Sequence, residues 1–285
     1  VSVRHLTTND DAADVSAMLT RLGLSFTRVE TLSAPAFGRK RQRRTLRVDL
    51  VDGSTIKVRQ LESAHAATEL SERRRQLPEA FAPVLACEGA VLLEAWIPGR
   101  TLTNREAELR ADELGIILAG LHATGRAITS ARIDTAPRRA QAVAQLAQLI
   151  DAGAISAATG AALEGEMRDA DPGTAPASLV HIDYCPENVV VDDDGRLHVI
   201  DNEWIAVEAA GLDLGRTWAR WPVSDHAWAR FVRGYVSASS FGAADRRFWM
   251  IVMAAASAAL RLQSSAAELA VPLARLHQLA VVSSL

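Results

Sequence analysis

The spacing of apolar and polar positions changes character near residue 95. Before that point the period is mostly two, the signature of strands whose successive side chains face opposite ways. A first strand is expected from Ser25 to Leu32. Thr45 to Val51 alternates, with Leu46, Val48 and Leu50 on one side. After the turn pair Asp52-Gly53, Ser54 to Leu61 alternates again and sets Ile56 and Val58 against Lys57 and Arg59 on the other face. Val84 to Cys87 and Ala90 to Trp96 predict two further strands. Two helical patterns accompany them. One covers residues 9–23, with Asn9 or Asp10 placed to cap and Val15, Met18, Leu19 and Leu22 in helical period; the other covers Ala64 to Leu77 and stops at Pro78. Pro98-Gly99 punctuates the chain. Beyond it the pattern is helical over about 104–124, 138–151, 155–169, 212–221, 225–237, 243–262 and 265–280, the exception being a hairpin after Asn188 that turns at Asp194-Gly195. The expectation is an α+β chain: an antiparallel sheet with one helix over residues 1–97, a hinge near 95–100, and a larger, mainly helical part over 98–285.

Composition narrows this little. With 285 residues, 49% apolar and 23% charged, the chain is an ordinary globule of one large domain or two lobes. A net charge of -3 offers no basic field for nucleic acid. The stretch Phe248 to Leu260 is broken by Ser257 and falls short of the roughly 20 residues of a membrane span. The N-terminal segment lacks the apolar core of a signal peptide, and the two cysteines, Cys87 and Cys185, make neither a disulfide framework nor a metal cluster, so a cytoplasmic protein is expected. One bias is informative. Only two of the 31 basic residues, Lys40 and Lys57, are lysine, and a compact ammonium is not equivalent to a guanidinium fork.

The chemistry is concentrated between Leu179 and Glu203. His181-Ile182-Asp183 is followed, five positions after the aspartate, by Asn188; an apolar hairpin then leads to Asp201-Asn202-Glu203. Phosphoryl transfer from a nucleotide needs such a set: one carboxylate to accept or orient a hydroxyl proton, and a carboxamide with a second carboxylate to hold magnesium against the phosphates. Asp183 is the candidate base, and Asn188 and Asp201 are the candidate magnesium ligands. Glu203 joins the metal shell or a salt bridge. No other histidine stands at a spacing that completes a zinc site with His181. His122 lies on an apolar helix and reads as a core histidine, and Asp213 as a brace for the catalytic loop.

On the nucleotide side, Lys57 is the candidate for the alpha and beta phosphates, steadied by Glu69 or, in the adjacent register, Glu72; Arg59 shares its face and is the alternative. The loop from Gly38 to Arg44 holds five cations in seven residues and is either a solvated run or a cover for the triphosphate. Backbone groups around Glu94 and the ring of Trp96 are candidates for the adenine edge.

Taken together, His-x-Asp-x-x-x-x-Asn, the hairpin and Ile-Asp-x-Glu resemble the aminoglycoside phosphotransferase and choline kinase-like small-molecule kinases. The resemblance covers about residues 25–260, including the Lys57 strand, Pro98-Gly99, Leu-His122 and the Asp213 segment. It implies a bilobal protein-kinase-like fold, ATP and magnesium as cofactors, and Asp183, Asn188, Asp201 and Lys57 in the roles above. Three departures stand out. Ile182 occupies a position that is often glycine in the family, Asp201 is followed by Asn-Glu where protein kinases have Phe-Gly, and no glycine-rich nucleotide loop is present. The absence of an activation segment or Ala-Pro-Glu argues against a protein kinase. The alternative is a degenerate relative that binds nucleotide or a partner without turnover.

The acceptor is expected to be a neutral or anionic hydroxyl compound. Residues 204–285 hold eight arginines against five acids, a poor setting for a polycation, together with five tryptophans. Tyr184, Glu203, Trp204, Arg216 and Arg220 are the candidates for acceptor contact.

Overall fold

A computed structural model describes residues 17–32, 44–77, 79–128, 130–221, 223–239, 241, 245–263 and 266–282. Residues 9–16 of the expected first helix and 38–43 of the cation-rich loop lie outside these. The chain divides between Pro98 and Gly99 into two compact units.

The first unit runs α1 (residues 17–21), β1 (Phe26–Thr31), β2 (Arg44–Leu50), β3 (Thr55–Gln60), α2 (Ala64–Arg74), β4 (Val84–Glu88) and β5 (Val91–Ala95). The strands form one antiparallel sheet in the order β1-β2-β3-β5-β4. The apolar sides of the alternating strands supply its core: Leu46, Val48, Leu50, Ile56, Val58 and Leu93 pack with Met18 and Leu19. Gly53, at φ +86°, makes the β2–β3 turn, and the Ser63 hydroxyl caps α2 by accepting the Ala66 N–H at 3.1 Å. In the β3–β5 register Lys57 stands directly opposite Glu94, which puts both on one face.

The second unit runs β6 (Arg100–Thr101), α3 (Asn104–Leu109), α4 (Ala111–Ile128), β7 (Arg132–Asp134), α5 (Ala136–Asp151), α6 (Ala157–Asp169), β8 (Thr174–Val180), β9 (Val189–Val191), β10 (Leu197–Val199), β11 (Ala206–Ala209), α7 (Ala210–Arg220), α8 (Asp225–Ala238), α9 (Arg246–Leu260) and α10 (Ala266–Val282). It is less purely helical than its pattern suggests. Among the described residues β6, β7, β8 and β11 join the β9–β10 hairpin to make two three-stranded sheets, β10-β9-β6 and β11-β8-β7. The helical stretch expected over 104–124 is two helices, divided at Arg110 (φ -108°, ψ 19°), the first begun by a capping box of Thr103 and Glu106. Among the described residues no helix is long and apolar enough to cross a membrane.

Trp218, Trp221 and Trp249 are fully buried and Trp228 nearly so, which makes four of the five C-terminal tryptophans core. They are therefore not the aromatic faces of an acceptor site.

Candidate functional site

The loop that carries Asp183 leaves β8 and is pinned from below by one buried carboxylate. Asp213, in the first turn of α7, accepts the backbone N–H of His181 through Oδ2 (2.6 Å) and that of Ile182 through Oδ1 (2.7 Å). Its Oδ2 is also 3.2 Å from Nε2 of His122, whose Nδ1 lies 2.7 Å from the Tyr235 hydroxyl. His122 and Asp213 are wholly buried, and a carboxylate is tolerated there because each oxygen is hydrogen-bonded. Both therefore position the loop.

A second set of bonds ties the loop to the hairpin. The His181 Nδ1 accepts the Asp183 N–H (3.2 Å), which leaves Nε2 to donate to the Ile200 carbonyl and the Asn202 Oδ1, both at 3.1 Å. The Ile200 N–H in turn donates to the Asn188 carbonyl (2.9 Å). The Asn188 amide nitrogen donates to the Asp183 carbonyl (2.8 Å) and to its Oδ2 (3.1 Å). Asp183, Asn188 and the residue before Asp201 thus form one bonded cluster, because a three-residue hairpin with Val189 paired to Val199 returns the chain to its start. Ile182 (φ 68°) and Asp201 (φ 60°) both adopt the left-handed conformation at this junction.

Asp183 is partly buried and ionised. Burial pushes its carboxyl up, but the charge and hydrogen bond of Arg220, then the charge of Arg216, outweigh that and hold it below the usual carboxylate range. Arg216 Nη2 lies 3.3 Å from Asp183 Oδ1, and Arg220 Nη1 pairs with the same oxygen. Tyr184 is turned the other way: it is buried, and its hydroxyl donates to the Leu114 carbonyl at 2.9 Å. The expectation of acceptor contact fails for it, because its side chain, although next to Asp183 in sequence, faces the core. Glu203 and Trp204 follow Asp201 in a short 3-10 turn and are partly exposed.

As a metal site, the residues present suit a hard divalent cation. Among the described residues no group of three or more His, Cys, Asp and Glu is placed to hold a metal. One carboxamide and one carboxylate, brought to neighbouring hairpin ends, suit magnesium, which completes its shell with phosphate and water oxygens. With its nitrogen committed to Asp183, Asn188 has its carbonyl oxygen as the donor for such an ion.

In the first unit the acid beside Lys57 is Glu94. Its Oε2 is 3.8 Å from Lys57 Nζ and 3.8 Å from Arg59 Nη2, and its Oε1 pairs with Arg74. Glu69, expected to steady the lysine, instead lies 3.8 Å from His65 and 3.6 Å from Arg73 on its own helix and is half exposed. The side chain of Glu94, taken with Trp96 for the adenine edge, is buried in this cluster. Arg59 is only 1% exposed whereas Lys57 is 15% exposed. Trp96 is partly exposed and carries the Arg47 guanidinium 4.8 Å above its ring.

A family model described as the phosphotransferase enzyme family matches residues 39–249. No curated protein matches the chain. Among solved structures, it is similar to macrolide 2'-phosphotransferase MphH from Brachybacterium faecium, with 20% identity, TM-score 0.63, and 92% of this chain and 97% of that one covered. It is similar to choline kinase LicA from Streptococcus pneumoniae, with 14% identity, TM-score 0.66, and 96% and 100% covered; LicA has also been solved with AMP. It is similar to a thermostable mutant of aminoglycoside phosphotransferase APH(4)-Ia, with 17% identity, TM-score 0.61, and 94% and 99% covered. At such identities these likenesses establish the protein-kinase-like fold.

Proposed function

Since the chain belongs to the phosphotransferase enzyme family, we propose that it moves the gamma-phosphate of ATP to a hydroxyl of a small molecule that is neutral or anionic, of sugar, nucleoside or antibiotic type. The observation that carries this is the bonded cluster of Asp183 and Asn188, joined through Ile200 to Asp201.

In the reaction an acceptor oxygen forms a bond to the gamma phosphorus as the bond to the bridging oxygen of ADP breaks. Asp183 orients the acceptor O–H and takes its proton. A carboxylate held below its ordinary pKa is a weak base, which suits a loose transition state in which the proton leaves late. Asn188 fixes the Asp183 carboxylate through its amide, and its oxygen and Asp201 would hold magnesium. When bound, that ion neutralises charge on the beta and gamma phosphates. Lys57, presented by β3 and flanked by Glu94, contacts the alpha and beta phosphates. The first unit is assigned to nucleotide and the second to catalysis and acceptor. Trp96 and the backbone beside Glu94 are assigned to adenine; binding of AMP by LicA supports an adenine nucleotide. The cytoplasm, where ATP is abundant and free thiols such as Cys87 and Cys185 stay reduced, is the compartment of this reading.

The test is Asp183→Asn with labelled ATP and a broad acceptor panel. Phosphotransfer should fall by about a hundredfold or more, the usual scale of acid–base catalysis, while ATP affinity is kept. Undiminished transfer in the variant would sink the assignment.

A further inference from the structure

Asp183 shares its Oδ1 between two guanidinium groups. Arg216 and Arg220 lie one turn apart on α7, and their side chains are 29% and 27% exposed, so neither is sealed in the core. Between them they carry about ten N–H donors in planar forks whose geometry matches the paired oxygens of a carboxylate or a phosphate. Among the described residues a single carboxylate is their acidic partner. The Nε of Arg216 is buried and has no hydrogen-bond acceptor among the described residues, a costly state for a donor withdrawn from water. A third cation ends α9, the helix that packs against α7. Arg261, the C-cap of α9, is held by the Ser257 carbonyl (3.0 Å) and hydroxyl (2.6 Å). Burial first, then the positive charges of Arg220 and Arg216, lower its pKa. Glu187 and Glu268, the other acids that bear on them, are exposed to water.

Two guanidinium groups on one carboxylate, with a third cation at the end of the packed helix, do not help a fold, since like charges repel and the Arg216 Nε is left short of an acceptor. It does make a receptor. Resting on the phosphotransferase reading above, we infer that the acceptor bears an oxyanion, a carboxylate or a phosphate, which seats on Arg216, Arg220 and Arg261 and thereby releases the Asp183 Oδ1 for the acceptor hydroxyl. The arginines then have two effects. They select an anionic acceptor over a neutral or cationic one. They also keep the base engaged until an anion arrives, which restrains transfer of the phosphate to water.

The test uses the full chain with magnesium-ATP and acceptor pairs that share a hydroxyl frame and differ in charge: glycerol against glycerate and glycerol phosphate, and ribose against ribose 5-phosphate. An anionic member should exceed its neutral counterpart by about tenfold or more in kcat/KM, the scale of a charged hydrogen bond, and the two arms identify the oxyanion. Arg216→Gln and Arg261→Gln should raise KM for that acceptor with nucleotide affinity unchanged, and Arg216→Lys should recover part of the loss. Independently of turnover, inorganic phosphate titrated into the nucleotide-free protein should bind, with affinity lost in Arg261→Gln and retained in Lys57→Met; this measurement decides the matter if no panel member turns over. Turnover confined to neutral or polycationic acceptors, or phosphate binding indifferent to Arg261, overturns the inference and leaves phosphotransfer standing. ATP turnover unaffected by Asp183→Asn overturns the reading beneath it instead.

Discussion

Position 182 carries a β-branched residue where the backbone is left-handed, at φ 68°. That conformation costs an L-residue about 1–2 kcal/mol, and glycine escapes the cost. The conformation is imposed from outside: Asp213 takes the N–H groups of both His181 and Ile182, which forces a sharp bend just before Asp183. A paired comparison isolates the strain. Ile182→Ala keeps the penalty and loses the side chain, whereas Ile182→Gly loses both, so the glycine variant should be the more stable by about 1 kcal/mol in urea unfolding. In an unstrained loop or helix the order reverses, and finding alanine ahead here would refute the argument. The bonded cluster of loop and hairpin was readable from sequence because its members are close together in the chain. Asp183 and Asn188 are five apart, and Asp201 is returned by a hairpin whose turn is written in Asp194-Gly195. The acid beside Lys57 was not readable, because Glu94 faces it only through the β3–β5 register, which alternation alone does not state.

At the scale of elements, two glycines in helices make opposite demands. Gly115 lies in α4 where α8 crosses closely; a Cβ there would strike the Phe231 carbonyl and come within 2.7 Å of the Tyr235 nitrogen. Gly165, inside α6, has nothing within 4 Å of the same added atom. Alanine is the better helix former by about 1 kcal/mol, so Gly165→Ala should stabilise by about 0.5–1 kcal/mol. Gly115→Ala receives the same helical gain but must separate the two helices, and a net loss of about 1–3 kcal/mol is expected, read as a lower urea midpoint. Equal shifts for the two would show that the crossing is loose. Strands were legible where they alternate. The first unit, with Leu46, Val48 and Leu50 spaced by two, is an example. β8 was not legible: Thr-Ala-Pro-Ala-Ser-Leu-Val contains a proline and small residues that carry little strand preference, and it is a strand because β7 and β11 pair with it. β6 is two residues long and exists by pairing with β9, to which Gly99 allows the backbone to come close.

Over the whole molecule a small net charge conceals acids that are individually well partnered, and this sets the response to pH. Asp49 is held below its ordinary pKa by a hydrogen bond from Thr55 and then by Arg47. Glu106 is lowered to about 2 by hydrogen bonds from Arg100 and Thr103, Asp112 is lowered by Arg230, and Asp192 by His198. In the unfolded chain these groups return to roughly 3.9 for Asp and 4.3 for Glu. Between the folded and unfolded values the unfolded chain binds more protons, so stability rises with pH there. The contribution is complete above the unfolded values and is lost as pH falls through the folded ones, for Glu106 at about 2. The urea midpoint should therefore hold steady from neutrality to about pH 5 and decline below about pH 4. Salt separates the causes. At about 1 M the Debye length shrinks to roughly 3 Å and distant charges are screened, but a direct hydrogen bond survives. At all four acids the leading cause is a direct hydrogen bond, so most of the acid decline should persist at high salt. Glu106→Gln should remove the part of it that extends to the lowest pH. A decline abolished by salt would assign the effect to long-range charge, and the partnering of these acids would then be incidental to stability.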